Sequence, residues 1–145
     1  MSIALPDLAA MEAFGKRIAE KLRAGDVVAL TGGLGTGKTT LSRAILTALG
    51  HRGDVPSPTF TIIETYEHLD PPVVHADFYR LEEPSEVEQL GLDDYREGAA
   101  LLAEWPDHAG GFANEAGCLQ IALEMADEGR LAVVEPGAGW QERWP

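Results

Sequence analysis

Apolar residues recur at Leu8, Met11, Phe14, Ile18 and Leu22, three or four positions apart, and predict an amphipathic helix that packs on a sheet. Pro6 stands near its first turn and Gly25 just past its end. The same spacing in Leu41, Ala44, Ile45, Ala48 and Leu49 predicts a second helix over residues 39–49, stopped at Gly50. Between Gly50 and Pro58, Gly, Pro, Asp and Ser mark a loop. Elsewhere the apolar runs are shorter. Residues 26–31 read as a buried strand. Residues 59–67, with Phe60, Ile62, Ile63 and Tyr66, and residues 73–78 read as two more, joined through Asp70-Pro71-Pro72. A connection of five residues predicts that this pair is an antiparallel hairpin. Residues 99–104, 118–124 and 130–135 complete the strands, with Asp127-Glu128-Gly129 as the turn of a second hairpin. The acidic stretch 82–90 is predicted helical, and 93–98 is short and polar. Residues 137–145 carry Trp140 and Trp144 between Gly and Pro, and the pattern leaves open whether this tail docks or floats. The sheet should be mixed.

Residues 32–39, Gly32-Gly33-Leu34-Gly35-Thr36-Gly37-Lys38-Thr39, form a complete G-x-x-x-x-G-K-T phosphate loop between a predicted strand and a predicted helix, the context the motif requires. Gly32 and Gly37 permit backbone angles that a side chain forbids, so successive N–H groups turn inward as a nest for phosphate oxygens. The helix that follows adds its positive N-terminal end. Lys38 reaches the β- and γ-phosphates as a point charge, and the Thr39 hydroxyl is placed to ligate Mg²⁺. A nucleoside triphosphate is the expected ligand. The expected binding set is Gly32, Gly33, Leu34, Gly35, Thr36, Gly37, Lys38, Thr39 and Thr40, with Arg130, near the start of the last strand, as a candidate for the adenine pocket. The expected architecture is a P-loop NTPase-like three-layer α/β fold with a mixed central sheet, one domain over residues 1–145.

Hydrolysis also needs acidic groups that hold Mg²⁺ or orient a water. Val73-Val74-His75-Ala76-Asp77 is an apolar run closing on a carboxylate, and Ala100-Leu101-Leu102-Ala103-Glu104 repeats the pattern. In an open α/β sheet the ligand lies beyond the carboxyl ends of the strands, so both acids are carried toward the phosphates. His75 alternates with Asp77 and reads as a packed core or edge residue, not as a base. Trp105 and Pro106 either pack simply or hold Glu104 in position. Ser57-Pro58-Thr59 either is an ordinary hydroxyl turn or responds to the γ-phosphate as switch segments do.

The chain has 24 acidic and 11 basic side chains, a formal net charge of −13, so its field as a whole repels nucleic acid and anionic membrane. Contact with RNA is therefore expected only through a partner, and Mg²⁺ is expected to offset the global field at the phosphates. No apolar run is long enough to span a bilayer, and Asp7 and Glu12 stand where an export signal needs a basic start and an apolar block, so a cytoplasmic location is expected. Cys118, the single cysteine, lies in an apolar run and reads as a buried structural thiol.

The phosphate loop, Ser57-Pro58-Thr59-Phe60, His75-Ala76-Asp77-Phe78-Tyr79-Arg80-Leu81 and Glu104-Trp105-Pro106, in this order over nearly the whole chain, closely resemble the TsaE (formerly YjeE) family. The resemblance implies a slow Mg-dependent ATPase that works with the TsaB and TsaD proteins in threonylcarbamoylation of adenosine 37 of tRNA, touching tRNA only indirectly. It implies Thr39 and Glu104 as Mg²⁺ ligands, Lys38 on the ATP phosphates, Asp77 orienting water or supporting the metal, and Thr59 in a switch-like loop. Gly33 stands where the family usually has an acid, and Thr36 where it often has Ala. A small-molecule kinase uses the same loop, but the stretch 82–97 offers one arginine, Arg96, among many acids and makes a poor lid. A guanine-nucleotide switch needs an N-K-x-D segment, and the lone Asn114 is followed by Glu115 and Ala116.

Overall fold

Seven strands pair into one sheet in the computed structural model, which describes residues 1–55 and 63–143. In chain order the elements are β1 (Ser2–Leu5), α1 (Leu8–Lys21), β2 (Val27–Thr31), α2 (Lys38–Ala48), β3 (Ile63–Tyr66), β4 (Val73–Asp77), α3 (Glu86–Leu90), α4 (Leu92–Arg96), β5 (Ala100–Glu104), β6 (Cys118–Met125) and β7 (Arg130–Pro136). The strand order is β1-β7-β6-β2-β5-β4-β3. The four central strands β6, β2, β5 and β4 run parallel, while β3, β7 and β1 are antiparallel to their neighbours. Both predicted hairpins, β3–β4 and β6–β7, are present, and the sheet is mixed.

The parallel strands are covered on both faces, which is why they read as unbroken apolar runs. Every residue of β4 and of β5 is buried. On one face α1 and α2 press Phe14, Ile18, Leu41 and Ile45 onto Val28, Leu30, Leu102 and Leu119. On the other, Leu92 of α4, Phe78 and Phe112 cover Ala29, Val74, Leu101 and Ala103. Each fully buried Leu, Ile or Phe contributes about 1.5–3 kcal/mol of transfer free energy, far above helix propensity, so packing holds these short helices. The Asp7 carboxylate caps α1 by accepting from the Ala10 N–H at 2.8 Å. Gly15 costs helix propensity at mid-helix, but a β-carbon there would stand 2.6 Å from that of Ala44, so glycine lets α1 and α2 touch.

Five features depart from or complete the sequence expectations. β1 was not legible: it is four residues long and buries only Leu5. Leu8, expected in the apolar stripe of α1, is 60% exposed at the first position of the helix. The helix expected over 82–90 begins only at Glu86, whose carboxylate accepts from the N–H groups of Glu82 (2.7 Å) and Glu83 (3.1 Å) and holds them in a turn. The polar stretch after it is a second helix, α4, anchored by the buried Leu92 after Gly91 turns the chain at φ 73°. The tail docks as far as it is described: Trp140 is buried, its Nε1–H donates to the Gly117 carbonyl at 2.8 Å, and Arg143 pairs with Asp26. Asp26 therefore precedes β2 as a buried anchor. Phe60, Ile62 and Trp144 lie outside the described residues.

Candidate functional site

The parallel strands end together, and their last residues carry the chemistry. Glu104, at the end of β5, is registered with Leu30 of β2 on one side and Asp77 of β4 on the other. The glycine loop leaves β2 at the same edge. Gly32 has φ 136°, and a β-carbon there would lie 2.5 Å from the Leu123 carbonyl oxygen, so no other residue fits. Gly37, at φ 106°, is the N-cap of α2 and supplies no side-chain cap, which leaves the first-turn N–H groups of that helix open to a ligand.

Lys38 is buried at the root of this turn and donates to the carbonyls of Gly32 (2.9 Å) and Gly33 (2.7 Å). Burial lowers its pKa below the usual lysine value, and the nearby carboxylates of Glu104 and Asp77 oppose that shift. The Thr39 hydroxyl donates to Glu104 Oε1 at 2.9 Å, and the other carboxylate oxygen stands 2.5 Å from His75 Nε2. Asp77 accepts from the Tyr79 N–H at 2.9 Å. Arg130 donates to the loop carbonyls of Thr36 and Gly35, each at 3.1 Å, and Thr36 donates to the Gly33 carbonyl at 2.8 Å. One polar concavity is lined by Lys38, Thr39, Thr40, Asp77, Glu104 and Arg130. A second, more apolar one bears Leu5, Leu8 and Met11 and shares Gly37, Thr40 and Arg130 with the first. Hydrogen-bond donors, a cation and two carboxylates thus converge on one rim.

A profile of the family described as "Threonylcarbamoyl adenosine biosynthesis protein TsaE" matches residues 5–132, a span that holds the glycine loop, both carboxylates and Arg130. The chain belongs to the TsaE family. It is 39% identical over 132 residues to the tRNA threonylcarbamoyladenosine biosynthesis protein TsaE of Haemophilus influenzae, with 87% of this chain and 83% of that protein covered. The protein of the same name from Bacillus subtilis is 38% identical over 133 residues, with 91% and 75% covered. Among solved structures, the crystal structure of Bacillus subtilis YdiB superposes with a TM-score of 0.80 at 28% identity, covering 99% of this chain and 90% of that one. The family is one of threonylcarbamoyladenosine biosynthesis.

In this TsaE-family chain the structure brings Lys38, Thr39, Thr40, Asp77, Glu104 and Arg130 to one concavity, with Gly32 and Gly33 bonded to Lys38, whereas Thr59 lies outside the described residues. Leu34, at the tip of the loop, is 74% exposed and offers only its backbone to a ligand. Two neighbours gain a place that sequence left open. His75 is fully buried, as a core reading of it predicts, yet it bonds to Glu104. Trp105 stands over Lys38, with the ammonium 4.5 Å from its ring centre. The only signal for His75 was its period-two spacing from Asp77, which puts both on one face of β4; pairing with β5 is not written in that spacing. Among the described residues, no helix is long and apolar enough to cross a membrane. Cys118 is buried and its thiol is pushed up to about 11, first by burial and then by Glu115.

Proposed function

We propose that this chain is a Mg²⁺-dependent ATPase of tRNA threonylcarbamoyladenosine synthesis, cleaving ATP to ADP and phosphate slowly by itself and working in the cytoplasm with the TsaB and TsaD proteins. The observation that carries the reading is the Thr39–Glu104 pair, 2.9 Å apart, beside a buried lysine at the open end of a helix. Neighbouring oxygens around an octahedral Mg²⁺ lie roughly 2.9 Å apart, so this hydroxyl and carboxylate already have the separation the ion needs. Thr39 and Glu104 would hold Mg²⁺, which when bound neutralises charge on the β- and γ-phosphates.

The chain's own groups do the rest. The loop N–H groups and the end of α2 cradle the phosphates, and Lys38 exchanges a loop carbonyl for phosphate oxygens. Asp77, 8% exposed on the same rim, orients the attacking water or supports the ion. The nucleoside lies in the adjoining apolar concavity of Leu5, Leu8 and Met11, with Arg130 at the boundary. The net charge of −13 favours contact with a protein assembly over direct contact with tRNA.

A kinase reading, which shares the phosphate loop, gains no lid from the stretch 82–97. Arg96, the one arginine of the stretch 82–97, is paired bidentately with Glu115 at 3.0 and 2.5 Å and stacks on Phe112, so it is not a lid cation. The test is ATP hydrolysis by the purified chain with and without Mg²⁺, alone and with TsaB and TsaD, using Lys38→Ala as the blank. Slow Mg²⁺-dependent turnover that changes with the partners supports the reading. Turnover equal to the blank overturns it, and turnover indifferent to the partners removes the link to TsaB and TsaD. Glu104→Ala is expected to retain part of the nucleotide binding and lose Mg²⁺-dependent hydrolysis.

A further inference from the structure

His75 occupies a place where an apolar residue would be cheaper. Its ring is fully buried, and its Nδ1 has no hydrogen-bond partner among the described residues. Leaving that nitrogen unpaired in the core costs free energy that Leu or Phe would not incur. The imidazole supplies one thing that they lack, which is a donor at Nε2. A carboxylate only accepts, so Nε2 carries the hydrogen in the 2.5 Å contact with Glu104 Oε2.

That contact decides where Glu104 points. With Oε2 anchored to β4, Oε1 is turned toward the Thr39 hydroxyl at the start of α2. The run His75, Glu104, Thr39 therefore ties two strands and a helix into one line of side chains. Asp77, two residues further along β4, is held differently, by the Tyr79 backbone N–H. Of the two acids, His75 contacts Glu104.

We propose that His75 is a positioning residue: it fixes the Glu104 carboxylate so that Oε1 and the Thr39 hydroxyl stay paired as ligands for the divalent cation that accompanies the nucleotide. This rests on the Mg–ATP reading above. Groups that orient a metal ligand through its other oxygen or nitrogen typically change metal affinity 10–100-fold when removed.

The test measures binding of a non-hydrolysable ATP analogue by calorimetry, first in EDTA and then across a Mg²⁺ titration, for wild type, His75→Leu, His75→Gln and His75→Asn. His75→Leu is expected to raise the Mg²⁺ concentration at half-maximal effect about 10–100-fold, with affinity in EDTA within about twofold of wild type. His75→Gln, whose amide reaches Oε2, recovers most of the shift. His75→Asn is too short to reach, and it is expected to behave like Leu, so a polar variant decides the matter should Leu fail to fold. An unchanged Mg²⁺ midpoint in Leu or Asn overturns the proposal. So does an equal loss of affinity in EDTA, which would mark a purely structural role. Wild type whose affinity ignores Mg²⁺ would instead overturn the Mg–ATP reading, and this proposal with it.

Discussion

The Lys38 ammonium lies 4.5 Å from the centre of the Trp105 ring while it donates to the carbonyls of Gly32 and Gly33. Trp105 is the one non-glycine among the described residues with positive φ, at φ 55° and ψ 51°. Such a conformation costs about 1–3 kcal/mol and persists only when its surroundings hold it. Here its N–H donates to Leu30 at 3.3 Å, and its ring packs with Tyr79 and His108 at 4.9 and 5.5 Å. Glu104-Trp105-Pro106 is thus a turn that places a carboxylate and a ring on opposite duties, one toward Thr39 and one over Lys38.

The first prediction concerns that ring. A phosphate that draws Lys38 away from Gly32 and Gly33 changes the environment of Trp105, so adding ATP with Mg²⁺ should alter tryptophan emission. Trp105→Phe should abolish the change and leave the emission of the other two tryptophans, Trp144 and Trp140, the latter buried in the docked tail. A signal that survives in Trp105→Phe would mean that the change arises at another tryptophan and not at the ring over Lys38.

The burial of Lys38 also predicts a pH dependence. Its folded pKa lies below the unfolded value of 10.5, so between the two the unfolded chain binds more protons and stability rises with pH. The burial penalty is fully present below the folded pKa and is relieved as pH rises through it toward 10.5. Compared with Lys38→Met in urea unfolding, wild type should therefore gain stability as pH rises through the folded pKa toward 10.5, by at most about 1.4 kcal/mol per pH unit. Cys118 works in the opposite direction, since its thiol is raised from 9.0 to about 11 and stability is lost as it ionises. Both proteins carry Cys118, so the difference between them cancels it. A constant difference across the range would contradict the burial of Lys38.

Gly33 makes a third case. Its backbone angle is ordinary for any residue and a β-carbon there would meet nothing within 4 Å, so Asp fits without strain. The loop is already closed by the Thr36 hydroxyl on the Gly33 carbonyl, a bond that needs no acid at 33. An added carboxylate would then act chiefly through its charge, worth about 1 kcal/mol at 4 Å in water. Gly33→Asp should weaken nucleotide binding several-fold in calorimetry with no loss of melting temperature. A gain in affinity would refute the electrostatic argument.

What could be read in the chain before its fold follows from how local each signal is. The turn glycines, the helix stripes and the two hairpins depend on neighbours in sequence, and they stand as predicted except for Leu8 and Ala48, which are exposed. The ends of β4 and β5 were legible because an apolar run closing on Asp77 or Glu104 is itself local. Register was not. That Asp77 stands opposite Glu104, and that His75 reaches the same carboxylate, depends on how two strands 27 residues apart align. β1 and α4 escaped because each buries a single side chain, Leu5 or Leu92, too little to make a period. The left-handed turn at Trp105 escaped for another reason, since tryptophan carries no preference for it.

The docked tail yields the last prediction. Trp140 is 0% exposed, and truncating a buried aromatic of this size costs about 3–5 kcal/mol. For a chain of this length that corresponds to a melting temperature lower by roughly 10 °C. Arg143 stacks on the same ring at 4.1 Å and meets the Asp26 carboxylate at 2.6 and 2.5 Å, so Arg143→Ala leaves a buried acid with only the Arg23 N–H among the described residues. That change should cost less than Trp140→Ala, because Arg143 lies at the surface end of the pair, while the ring fills the core beside β6. The two losses should not add, since one ring and one acid serve both. Asp26 precedes β2 at the end opposite the glycine loop, so nucleotide affinity measured well below either melting point should stay within about twofold of wild type. A large loss of affinity in either variant would mean that the tail sets the geometry of the loop through β2, and that the two ends of that strand are coupled.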